Sequence, residues 1–416
     1  MRWIDIVLPP RGTCQETDRR LDEARALVDG IPALQDRHGL DAPAVTGEVE
    51  RIGRLLFQAV TAHQAGAFRD DPHRDGATTP GKIDRVGYHI VAADDRVGLP
   101  WQWLHSGMGY LIERSPIASA DHGSHPTNAD PMRVWMHRQQ DALLDPDHVG
   151  HDDRTQPEIL FVPGHGKDEI RRLMFREAEG IDHALAELPA AAARLRIPGA
   201  VTPGLLAARA MLYQVLHFAA PTSQPPEVSQ AGENRWLAGL MAAAGEPGAD
   251  PDVVDDMVGL EKEILGVDPV EAALDQALES YVHRGAAVPA GAGSPVRTTA
   301  GDGWLLDDGP IAPEHLGRDG CLPPLVFSNS WCSLHWLGQR FTRAGASAFV
   351  GTSMPLFSRP ARLFAGLFYG ALGRGRCAGE AHREAALALR ERLGPEHPAW
   401  LAHGVQGYAT LRLEDL

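Results

Sequence analysis

The stretch "PPLVFSNSWCSLHWLG", residues 323–338, carries the reading of the whole chain. Leu325-Val326-Phe327 is an apolar run of strand length without polar alternation, the pattern of a strand covered on both faces. It runs out into a small polar turn, Ser328-Asn329-Ser330, and then into Trp331, Cys332 and Ser333. A thiol placed where a buried strand gives way to a turn raises the question of whether Cys332 is a nucleophile.

Runs of the same kind recur on either side. "VGYHIVAAD" (86–94), "EILFVPG" (158–164), "YQVLHFAA" (213–220) and "ASAFVGT" (346–352) each have strand length and end in turn residues. Helical patterns separate them. Ile170, Met174, Ala178, Ile181, Leu185 and Leu188 step by three and four and form one apolar stripe. Phe364, Leu367, Phe368 and Ala371 form another, and residues 378–393 a third that stops at Gly394-Pro395. Strand-helix-strand repetition predicts an α/β fold with a largely parallel central sheet and helices on both faces. The N-terminal "MRWIDIVLPPRGT" reads as a short strand and a turn.

Two segments break the rhythm and are expected to be insertions into a single domain spanning 1–416. Residues 121–156 are polar and His-rich. Residues 222–300 open on "PTSQPP", hold two helical patterns with Asp250-Pro251 and Asp268-Pro269 as start signals, and close on the linker composition "AAVPAGAGSP". Limited proteolysis is expected to cut first within 285–300.

Composition bounds the function. A 416-residue chain that is 44% hydrophobic has enough apolar material for a substantial core. Its 55 acidic and 39 basic residues give a formal charge of −16, and without a basic run it does not read as a nucleic-acid binder. Cys14, Cys321, Cys332 and Cys377 are widely spaced, so neither a zinc knuckle nor a disulfide framework is indicated, and free thiols fit a cytoplasmic setting. No long apolar run suggests a signal peptide or membrane span. No cofactor motif is found.

Read in order, several segments resemble the CHAT family, bacterial relatives of caspases and separase. "VGLPWQWLHSGMGYLIERSP" (97–116) is similar to its Leu-Pro-Trp-Glu-x-Leu segment, with Gln102 in place of the acid. "ILFVPGHG" with "REAEGIDHAL" resembles the next strand and its Glu-Ala-Glu helix, and "GWLLDDG" (303–309) the hairpin before the nucleophile strand. "RAGASAFVGTSMPL" (343–356) resembles the Ala-Gly-Ala segment, with Met354 where Trp is common. "ARLFAGLFYGALGRGRCAGEAHREAALALR" resembles the paired terminal helices, and "AHGVQGYATLRL" the closing strand. The resemblance implies a caspase-like sheet of about six strands, with a Cys-His dyad on loops at the carboxyl ends of its strands.

At the dyad positions this sequence departs from the family pattern. In "VLHFAAPTS", His217 matches the strand histidine, and the catalytic histidine falls on Pro221, which cannot accept a proton. His217, flanked by apolar residues, is expected to be a satisfied core group. For the nucleophile, a gapless alignment sets Trp331 on the cysteine position and keeps Ser333; one inserted residue would place Cys332 there instead. The gapless alignment is simpler, because a one-residue slip turns a strand's side chains to the opposite face. His335, three residues beyond Cys332, is the other imidazole near the thiol.

Two further motifs read as structure. Asp121-His122-x-x-His125 and His148-x-x-His151 have metal-compatible spacing, yet Gly123, Pro126 and Pro146 argue for a solvated loop, and no metal site is expected. "PGHGKDE" (163–169) lacks phosphate-loop spacing and reads as a turn. The resulting expectation is a CHAT pseudopeptidase: no catalytic residues, and a scaffold or regulator binding another protein encoded nearby (a peptidase, substrate or sensor) in a bacterial conflict or programmed-death system. The alternative is an active endopeptidase using Cys332 with His217 or His335.

Overall fold

The computed structural model describes residues 2–39, 42–64, 66–68, 86–121, 157–164, 168–188, 193–197, 201–210, 213–219, 303–306, 309–316, 322–356 and 358–416. Pro221, His122, His125, His148, His151, Cys321, nearly all of 121–156 and all of 222–300 lie outside them. Among the described residues the strands are β1 (Arg2–Val7), β2 (Val86–Ala92), β3 (Ile117–Asp121), β4 (Glu158–Val162), β5 (Arg194–Arg196), β6 (Val215–Phe218), β7 (Trp304–Leu306), β8 (Gly309–Ile311), β9 (Leu325–Ser328), β10 (Ala348–Thr352) and β11 (His403–Gly407). The helices are α1 (Gln15–His38), α2 (Pro43–His63), α3 (Asp168–Ala186), α4 (Pro203–Arg209), α5 (Pro313–Leu316), α6 (Ser333–Trp336), α7 (Gly338–Arg343), α8 (Ser358–Gly373) and α9 (Ala378–Leu393).

Nine strands make one sheet in the order β1-β2-β3-β11-β10-β9-β6-β4-β5, and β7–β8 is a separate hairpin. Every neighbouring pair in the sheet is parallel except β10–β11. Two parallel blocks therefore meet at one antiparallel seam. All five apolar runs of the sequence lie in this sheet. The expected count of about six strands becomes nine among the described residues. The extra strands have weak local signals: β3 is the small-residue run Ile-Ala-Ser-Ala-Asp and β5 only Arg-Leu-Arg. Asp121, set at the edge of the first insertion by composition, is the last residue of β3.

The period-2 alternation of strands divides the core. Ile159, Phe161, Val215, Leu325, Phe327 and Val350 face one cluster, built with α1, α2, α3, α8 and α9. Leu160, Val162, Leu216, Phe218, Val326 and Phe349 face the other, built with α4, the β7–β8 hairpin, α5, α6 and α7. Both faces of the sheet are thus covered, which is why its central strands read as largely apolar runs. Trp304 of the hairpin is fully buried and donates its indole N–H to Ser328 Oγ at 3.0 Å, pinning the end of β9.

Candidate functional site

β6 and β9 run side by side with His217 opposite Phe327 and Phe218 opposite Ser328, and the Asn329 N–H still bonds the Phe218 carbonyl at 3.0 Å. The chain then turns. Ser333 Oγ donates to the Ser328 carbonyl at 3.3 Å and accepts from the Thr352 N–H at 3.1 Å, while Thr352 Oγ1 donates to the Ser330 carbonyl at 2.6 Å. These bonds clasp the turn to the end of β10. Cys332 sits at its apex with φ 54°, the one non-glycine residue with positive φ among those described, and caps the single-turn helix α6. An L-residue in this region is strained.

Trp331 is half-buried, and its indole N–H donates to the Leu356 carbonyl at 2.8 Å. Cys332 is half-buried too, and desolvation of the thiol, followed by the charge of Asp29 on α1, pushes its pKa up to about 12. Nucleophilic thiols show the opposite shift. His335 does not face the sulfur as a free base: its Nδ1 lies 2.5 Å from the Gly98 carbonyl and its Nε2 2.6 Å from the Ser353 carbonyl. Asp29 and Arg25 of α1 both act on this region, and Gln35 of the same helix donates to the Pro355 carbonyl at 3.0 Å.

His217 is fully buried inside the sheet face, stacked between Phe161 and Phe327 with ring centroids 5.0 and 4.7 Å away. Its Nε2 lies 2.6 Å from Glu177 Oε1 and its Nδ1 3.0 Å from the Tyr369 hydroxyl. The same Glu177 oxygen accepts from Asn329 Nδ2, and Asn329 Oδ1 accepts from His403 Nε2 at 2.8 Å. His403 stacks on Phe364 at 3.7 Å, and its carbonyl accepts from His382 Nε2 at 2.7 Å. Burial holds His382 down at about 4; burial, with the neighbouring His382 and His217, holds His403 well below the ordinary range. The result is a buried chain of polar groups, Tyr369–His217–Glu177–Asn329–His403, beneath the turn.

Sequence patterning alone does not reveal this chain, although one signal for it exists. Glu177 lies three residues after Met174 and four before Ile181, so a carboxylate interrupts the apolar stripe of α3. Gln102, in place of the acid, is buried and donates from Nε2 to Ser353 Oγ at 2.6 Å and to the Leu401 carbonyl at 3.3 Å. A carboxylate could not make the second bond. Among the described residues no group of three or more His, Cys, Asp or Glu is placed to hold a metal ion, and no helix is long and apolar enough to cross a membrane.

Thiol labelling distinguishes these environments. Cys14 at the start of α1 has its pKa lowered, first by the Thr17 hydroxyl, whereas burial pushes Cys377 up to about 11. Under limiting iodoacetamide at neutral pH, peptide mapping is expected to find Cys14 modified at least about tenfold faster than Cys332 or Cys377. Cys332 labelled first would show an activated thiol.

Among solved structures the chain is similar to the Arg-specific cysteine proteinase gingipain R, at 9% identity and a TM-score of 0.40, over 99% of this chain and 78% of that one. No protein-family model matches the sequence, and no curated protein matches it.

Proposed function

We propose that this chain is a caspase-like protein of CHAT type that lacks peptidase activity and acts by binding another protein, encoded nearby, in a bacterial conflict or programmed-death setting. One observation carries the reading: both described imidazoles that could serve the half-buried thiol are engaged elsewhere. His217 bonds Glu177 and Tyr369, and His335 faces two carbonyls. Thiol catalysis needs a thiolate, a base and donors for the developing oxyanion together. Losing such a unit lowers rates by several orders of magnitude. Pro221 in the family's histidine position and Trp331 beside the thiol support the same reading.

The purified protein incubated with the products of neighbouring genes is expected to leave them intact by mass spectrometry and to bind one of them, and Cys332→Ala is expected to change neither result. Cleavage that disappears in Cys332→Ala would overturn the proposal. A second reading, an active endopeptidase built on Cys332, is favoured by one feature. The left-handed φ at Cys332 places a strained thiol between a strand and a helix, as nucleophile turns often do. The same cleavage experiment decides between them.

A further inference from the structure

Both ring nitrogens of His335 meet groups that can only accept: the Gly98 carbonyl at 2.5 Å and the Ser353 carbonyl at 2.6 Å. A neutral imidazole has one N–H. In that form one nitrogen lone pair would point at a carbonyl lone pair at hydrogen-bond distance. Only the imidazolium makes both bonds. Neither acceptor is free to retreat. The Ser353 N–H bonds the Ala402 carbonyl at 2.7 Å, and its hydroxyl accepts from Gln102 at 2.6 Å. The backbone at Gly98 is pressed against that of His335, so a Cβ there would lie 2.6 Å from the His335 carbonyl oxygen. Ser333 and Thr352 clasp the base of the turn to β10, so what is left to move is the His335 ring and the Cys332 apex beside it.

That turn holds a reason to move. Cys332 is in the left-handed region at φ 54°, and strain of this kind persists only where the surroundings enforce it. We propose that His335 is a proton-operated latch on the apex of this turn: the imidazolium bridges the segments at 98 and 353 and holds Cys332 in its strained, half-buried position, and loss of the proton to solvent releases the apex. The inference concerns the accessibility of Cys332 and stands whether or not the chain cleaves peptides. Burial, the largest influence on the ring, holds its pKa below the ordinary histidine value; the Gly98 and Ser353 carbonyls favour the charge, and Arg25 and Asp29 of α1 oppose each other. The latch therefore opens as pH rises through a range below the ordinary histidine midpoint.

The test follows Cys332 alkylation by peptide mapping from about pH 4.5 to about pH 8, with the fold checked at each pH by tryptophan emission. For a buried thiol alone the rate rises about tenfold per pH unit, following the thiolate fraction. In the native protein the rise is expected to be steeper than about tenfold per unit on the acid side of the imidazole titration, settling to about tenfold beyond it. In His335→Gln, which keeps one donor and cannot titrate, it should be about tenfold throughout. Nitrogen-15 spectra of the native imidazole supply an arm that needs no variant: His335 should carry two protons at the acid end and one at the basic end. A uniform tenfold rise in the native protein, or a ring that keeps one protonation state across the range, would overturn the latch.

Discussion

Acidification from about pH 7 to about pH 4 is expected to remove about 3 kcal/mol of folding stability through His382 alone. The side chain is fully buried, its Nε2–H donates to the His403 carbonyl, and its folded pKa is held at about 4 against an ordinary 6.5. The unfolded chain therefore binds a proton that the folded chain refuses. Where the unfolded state binds more protons, stability rises with pH. The contribution is fully present above about pH 6.5 and is lost as pH falls towards about 4. His403, also buried and held well below its ordinary range, adds loss of the same sign. Urea unfolding at a series of pH values, followed by tryptophan emission, measures the slope. His382→Gln keeps a donor for the carbonyl but cannot titrate, so its slope across this window should fall by nearly one proton. An unchanged slope would mean that His382 is already protonated in the fold.

The second large effect belongs to Glu177. Replacing it with leucine leaves the His217 and Asn329 donors inside the core without their acceptor. Removing one member of a buried charged or hydrogen-bonded set costs about 3–5 kcal/mol, because the abandoned groups remain desolvated. Glu177→Leu is expected to lose that much stability, with a cooperative unfolding curve displaced to lower urea. Glu177→Gln, which retains one acceptor oxygen, should lose less. The surface pair Arg340–Glu314, with Glu314 half-exposed, provides the contrast: its removal should cost less than about 1 kcal/mol. A Glu177→Leu loss as small as that of the surface pair would show that the chain Tyr369–His217–Glu177–Asn329–His403 does not act as a unit.

How much of this is legible in sequence follows from the range of each signal. The strands β2, β4, β6, β9 and β10 announce themselves because both faces are covered, so most positions are apolar. The stripe of α3 and the pairing of α8 with α9 are equally local. The antiparallel seam is not legible, because nothing in "HGVQG" states which neighbours it will have. Nor does local composition reveal that β3 inserts beside it. At the site, a core role for His217 can be argued from its apolar flanks, but its partners come from α3 and α8, 40 and 152 residues away. His335 is a polar residue near a cysteine until the segments at 98 and 353 fold over it. Hydrogen-bond partners drawn from distant chain positions leave no periodicity to read.

The seam between β10 and β11 also has a consequence for how the chain reaches this structure. β11 is the last of the described strands to leave the ribosome, yet it lies in the interior of the sheet, with β3 on one side and β10 on the other. Until residues 403–407 emerge, the half-sheet β1-β2-β3 and the half-sheet β10-β9-β6-β4-β5 have no strand to join them, and each presents an open edge. Co-translational folding can complete the halves but not the whole. Closure then waits on contacts between residues nearly 300 apart, such as Ser119 with Gln406, the kind of long loop closure that slows folding and lengthens exposure to aggregation.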